Sequence, residues 1–168
     1  KTFAYLLPAI SYAVRNSQTV HISTSTKALQ DQIYHKDLQL IREHFPFDFS
    51  FTKLKWKKNY FSVGAFLEFI DEVSFSREMI SFVLKIIFWS IDTYEWELDS
   101  LDYYGEEFAF LAQIHAGAIS LFDESSPYKH LEFALRARKR AKNAHIVICN
   151  NHILFQDMIS EGNLLWSV

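Results

Sequence analysis

The stretch Val20-His21-Ile22-Ser23-Thr24-Ser25-Thr26-Lys27-Ala28-Leu29-Gln30-Asp31-Gln32 changes its period halfway along. Val20 and Ile22 alternate with His21 and Ser23, the pattern of a short strand, and the apolar residues after Thr26 recur at helical spacing. Leu29, Ile33, Leu40, Ile41 and Phe45 predict a helix over about 27–44, with the Thr26 hydroxyl as its cap and Pro46 as its stop. A strand that runs into a helix through a hydroxyl-rich junction is half of a parallel α/β unit. The other half stands near the far end of the chain. His145-Ile146-Val147-Ile148-Cys149 is short and nearly all apolar, as a strand buried on both sheet faces must be. The strands around Ile22 and Val147 are therefore expected to pair in parallel.

Outward from this frame, Phe3, Leu6, Leu7, Ile10 and Val14 predict an opening helix that ends at Asn16-Ser17-Gln18. Residues 47–55 alternate and are rich in Phe and Thr, which suggests a second strand. From Ser62 to Phe122 the pattern reads as helical throughout, with Ile80, Val83, Leu84, Ile87 and Ile91 as one apolar face and Phe108, Leu111, Ala112 and His115 as another. The run from Ile80 to Ile91 is interrupted by Lys85 and falls short of the roughly 20 residues that cross a bilayer, so a buried helix is expected there. Ser126-Pro127 has the chemistry of a cap and first turn, predicting a basic helix from about 127 to 142.

Of the 168 residues, 49% are hydrophobic and 17% aromatic, enough for a packed core and against intrinsic disorder. The single cysteine, Cys149, excludes an internal disulfide or a Cys-based metal cage and fits a reducing compartment, the cytoplasm by default. One cation before the first apolar stretch makes a poor secretion signal. A net charge of −3 excludes an indiscriminate polycation, but the charge is segregated. Cations cluster at Lys53, Lys55, Lys57 and Lys58 and again from Arg136 to Lys142, with an acidic block from Glu95 to Glu107 between them.

Several residues could carry chemistry. Ser23, Thr24, Thr26, Lys27 and Gln30 bring hydroxyls and free amides to a strand end, a good seat for a phosphodiester, although such runs more often serve only as caps and turns. Lys53 to Tyr60 interleaves cations with aromatics, which suits a single strand, or else a lysine-protected sheet edge. The cations from Arg136 to Lys142 suit a helix C-terminus without any ligand. The seven histidines show no metal-ligand spacing, and Cys149 reads as core.

Taken in order, these pieces resemble the first motor domain of DinG-type (XPD-like) superfamily-two DNA helicases. Lys1-Thr2 and the helix ending in Leu-Pro-Ala9 resemble the end of that family's phosphate-binding loop and the helix after it. Ser23-Thr24-Ser25-Thr26-Lys27-Ala28-Leu29-Gln30-Asp31-Gln32 matches the family's Ser-Thr-x-Thr-x-x-Leu-Gln-x-Gln without a gap. Leu54-Lys55-Trp56-Lys57-Lys58-Asn59-Tyr60-Phe61-Ser62 is similar to Leu-Lys-Gly-Arg-x-Asn-Tyr-x-Cys, with Trp56 for Gly and Ser62 for Cys. Ser126-Pro127-Tyr128 resembles Cys-Pro-Tyr, and Asn150-Asn151-His152 the family's Asn-His, with Asn151 where His is usual.

The resemblance implies an α/β fold: a partial RecA-like parallel sheet of a P-loop NTPase motor domain, broken by a largely helical insertion. Its parts would be residues 1–61, the insertion 62–126 in place of an iron–sulfur domain, and the return 127–168. Lys1 would be catalytic and, with Thr2, would hold ATP and Mg2+. Ser23, Thr24, Thr26, Gln30, Lys55, Asn59 and Tyr60 would touch single-stranded DNA. Ser62 and Ser126 occupy cluster-ligand positions, so no iron–sulfur cluster held by thiolates is expected. The implied parent is a cytoplasmic, monomeric ATP-dependent helicase, in some family members fused to an exonuclease domain; the isolated chain is expected to be inactive. The competing readings are a non-catalytic helical interaction module and another P-loop enzyme.

Overall fold

The computed structural model describes residues 1–72, 76–117 and 127–159. The chain divides into two compact units, Lys1–Lys55 with Ala137–Val168, and Trp56–Arg136.

The first unit is built on three parallel strands in the order β1 (Val20–Thr24), β3 (Ile146–Asn150), β2 (Phe51–Lys53). The expected pairing is present, with His21 opposite Val147 and Ile22 opposite Ile148. β3 is central, which is why Ile146 to Cys149 are all buried and why no polar residue interrupts them. Strand alternation sends Ile146 and Ile148 to one face, where they join Leu6, Ile10 and Ala13 of α1 (Thr2–Asn16) and Ile33, Leu38 and Ile41. His21, Ser23, Val147 and Cys149 point to the other face. The second strand is shorter than its 47–55 alternation suggests: only Phe51–Lys53 are in register with β3, while Phe47 and Phe49 each pack on Phe45.

The helix expected over 27–44 is formed in three pieces, α2 (Lys27–Gln32), a wide π turn (Ile33–Asp37) and α3 (Leu38–His44). Thr26 caps it, its hydroxyl accepting from the Leu29 amide at 3.2 Å. α1 ends at Ser17, which adopts the left-handed conformation.

In the second unit the helical reading needs correction. α4 (Val63–Glu72), α5 (Arg77–Asp92) and the short α6 (Glu107–Leu111) are helical, but most of 93–106 and all of 112–117 are not, and 118–122 lie outside the described residues. Thr93 is extended and Trp96 has φ 53°, so the helix cannot continue through them. The buried face of α5 is also a different one: Met79, Phe82 and Ile86 enter the core, whereas Ile80, Leu84, Ile87 and Ile91 are exposed. Both faces are apolar, so spacing alone cannot choose between them. The core is largely aromatic, with Phe61, Phe66, Phe69, Phe82 and Phe110 in contact and Trp96 stacked on Phe133 at 4.1 Å. The basic helix, α7 (Phe133–Lys142), starts later than Pro127, after a turn of 3-10 helix at Lys129–Leu131. Ser126 lies outside the described residues. Among the described residues no helix is long and apolar enough to cross a membrane.

Candidate functional site

Parallel register brings the C-terminal ends of β1 and β3 together, with Ser23 opposite Cys149 and Thr24 opposite Asn150. At each end a helix begins. The Asn150 side-chain oxygen accepts from the Ile153 amide at 2.8 Å and so caps α8 (Asn151–Ile159), just as Thr26 caps α2. The Ser23 hydroxyl donates to the Asn151 side-chain oxygen, tying the two strand ends together. Thr24 is buried and donates to the Thr26 carbonyl at 3.1 Å, which fixes the tight turn between strand and helix. Ser25, Thr26 and Asn151 remain exposed. The result is a shelf of hydroxyls and amides with two helix N-termini behind it.

Gln30 is the anomaly on this shelf's helix. It is 1% exposed, and neither amide atom has a hydrogen-bond partner among the described residues. A buried, unsatisfied amide is uncommon enough to require a reason. At the other end of the unit, Lys1 is exposed and Thr2 is half-buried at the start of α1, whose first turn has no side-chain cap.

The Lys53–Lys58 cluster splits. Lys53 and Lys55 are buried, and the Lys53 ammonium meets the Asp31 carboxylate at 3.0 Å and lies over the Tyr34 ring at 5.3 Å. Lys57 and Lys58 are exposed in a 3-10 turn that also contains the partly exposed Asn59. Tyr60 is buried, 2% exposed, and pairs through its backbone with Glu97 and Ala116. Lys55 belongs to the first unit, and Asn59 and Tyr60 to the second.

Sequence reasoning missed the charges behind the sheet. Asp157 on α8 is buried, and its field reaches His21, Arg138 and Cys149. Burial lowers the His21 pKa and the Asp157 charge only partly restores it. Burial likewise lowers that of Arg138 against the same opposing charge. The Cys149 thiol is pushed up to about 11, chiefly by burial, so it is not a nucleophile at neutral pH. An apolar strand with a single His gives no hint of a carboxylate arriving from 136 residues downstream. The residues do not fit a thiolate-held cluster: Cys149 is the only cysteine, and Ser62 is hydrogen-bonded to Glu132 at 3.0 Å. Among the described residues no group of three or more His, Cys, Asp or Glu could hold a metal ion.

No protein-family model matches the chain. Its relatives do decide the family. The ATP-dependent DNA helicase YoaA of Haemophilus influenzae is 30% identical over 159 residues, which is 94% of this chain and 24% of that protein. YoaA of Escherichia coli is 27% identical over 164 residues, again 95% of this chain and 24% of that protein. The 3'-5' exonuclease DinG of Staphylococcus saprophyticus is 30% identical over 113 residues, 67% of this chain and 13% of that protein. The chain belongs to the DinG-type helicase family. It spans about a quarter or less of the length of these relatives. The parallel β1–β3 pair and the shelf at its end are thus features of a DinG-type chain, and the family relation extends across both compact units.

Proposed function

We propose that the chain supplies part of the first motor domain of a cytoplasmic ATP-dependent helicase, and that the intact protein binds ATP with magnesium and single-stranded DNA. In this reading residues 1–61 and 127–168 belong to the motor and 62–126 to the insertion, in a monomeric protein. The observation that carries it is the β1–β3 register, which sets Ser23 and Thr24 beside Cys149 and Asn150 where two helices begin. Helix N-termini flanked by hydroxyls favour a phosphodiester, since free N–H groups and the helix dipole both oppose negative charge. Ser23 and Thr26 would face the strand, with Thr24 holding the turn. Gln30, 1% exposed, would reach the strand only once uncovered.

Lys1 and Thr2 would hold the nucleotide's outer phosphates and its magnesium, at the uncapped start of α1. Bound Mg-ATP supplies the phosphoryl group whose hydrolysis drives movement. Asn59 would contact the strand as it stands, whereas Lys55 and Tyr60 would do so only once uncovered.

The test is single-stranded DNA binding by the intact parent. Binding should weaken with salt at a slope of about 0.7 per neutralised phosphate and fall roughly tenfold in a Ser23→Ala, Thr26→Ala double variant. Salt-insensitive binding, or binding indifferent to both substitutions, would remove the shelf from the proposal.

A further inference from the structure

The second unit contains a buried polar site that the helicase reading does not use. Glu132 is 2% exposed and Ser62 is completely buried. One carboxyl oxygen of Glu132, Oε1, accepts from the Ser62 hydroxyl at 3.0 Å and from the Gly64 amide at 3.1 Å. Ser62 Oγ in turn accepts from the Ala65 amide at 3.1 Å. Two of the orphan N–H groups of the first turn of α4 are thereby satisfied, one of them by a residue 68 positions away. Beside it, Phe133 stacks on Trp96, whose carbonyl accepts from the Phe61 amide at 3.0 Å. The second carboxyl oxygen, Oε2, is buried without a hydrogen-bond partner among the described residues.

We propose that Glu132 is a pin that closes this unit, fastening the start of α4 to the residues that lead into α7, and that the pin loosens when its carboxyl ionises. A protonated carboxyl can satisfy Ser62 and Gly64 through Oε1 alone. The carboxylate must in addition bury charge on Oε2, which no donor among the described residues meets. Charged groups on the neighbouring elements include Glu68, Asp71 and Glu72 on α4, Glu95 and Glu97 around Trp96, Lys57 and Lys58 before Tyr60, His115 beside Ile114, Lys129 and His130 in the preceding turn, and Arg136 in the first part of α7. None of them governs Glu132. Burial raises its pKa above the ordinary 4.5, and the Gly64 and Ser62 hydrogen bonds only partly oppose this. A group whose folded pKa is raised stabilises fully below its unfolded value and loses that contribution as pH rises through the folded value.

The experiment is hydrogen exchange of the Gly64 amide in the full chain, corrected for intrinsic rate, with Ile148 in the central strand as internal reference. From about pH 4 to about pH 8, protection at Gly64 relative to Ile148 should fall roughly tenfold or more, the cost of leaving a buried charged group without a partner. Glu132→Gln, which is neutral at every pH, should keep protection within about threefold across the range. Glu132→Ala should lose it at both ends. The proposal is overturned if Glu132→Gln exchanges as fast as Glu132→Ala, or if wild-type protection at Gly64 is flat or rises with pH. Should Glu132→Ala fail to fold, the contrast between wild type and Glu132→Gln still decides the matter.

Discussion

His21 shows how much a single position depends on its surroundings. On β1 it faces the side of the sheet on which the buried Asp157 acts, and burial holds its pKa below 6.5. With the folded pKa depressed, the neutral imidazole contributes stability above pH 6.5 that is lost as pH falls through the folded value. An imidazole titration by NMR should therefore return a His21 pKa below the ordinary value, and His21→Gln should flatten this part of the pH dependence. A pKa at or above 6.5 would show that Asp157 outweighs burial. Lys53 teaches the same lesson in reverse. In the sequence it belongs to a basic edge, and in the fold it is an internal cation held by Asp31 from 22 residues upstream. Nothing in its own neighbourhood of the sequence carries that information. Glu132 was likewise illegible, because a lone carboxylate before an apolar residue reads as surface.

At the scale of elements, the sequence was most readable where one period dominated. β1, β3 and the capped helix after Thr26 follow from alternation, an unbroken apolar run and a hydroxyl before helical spacing. The failures occurred where two patterns coexisted. α5 is apolar on both sides, so its buried stripe of Met79, Phe82 and Ile86 could not be told from its exposed one. The non-helical segment after Asp92 is set by aromatic packing around Trp96, a tertiary cause. α1 offers a direct test of local cost. Pro8 lies inside it and cannot donate to the Ala4 carbonyl. Pro8→Ala should raise stability by about 1–3 kcal/mol in urea unfolding. A loss instead would mean that Pro8 itself is needed to seat Leu6 and Ile10 against the sheet.

At the scale of the whole molecule, the candidate site was legible as a set of residues but not as a surface. The hydroxyl run was visible, yet its coupling to Asn150 and Asn151 depends on a register that only folding sets. The 168-residue chain alone should hydrolyse ATP no faster than buffer in a steady-state assay. Turnover that disappears in Lys1→Ala would contradict this. The exposed stripe of α5 bears on how the chain behaves in a tube. Ile80, Leu84, Ile87 and Ile91 succeed one another at alternating steps of four and three residues, and Phe88 beside them is 66% exposed. That is a greasy seam of the kind that zips helices together. Preparations of the chain should bind hydrophobic dyes and scatter more light as they are concentrated, and Leu84→Lys with Ile91→Lys should suppress both while leaving the melting temperature nearly unchanged.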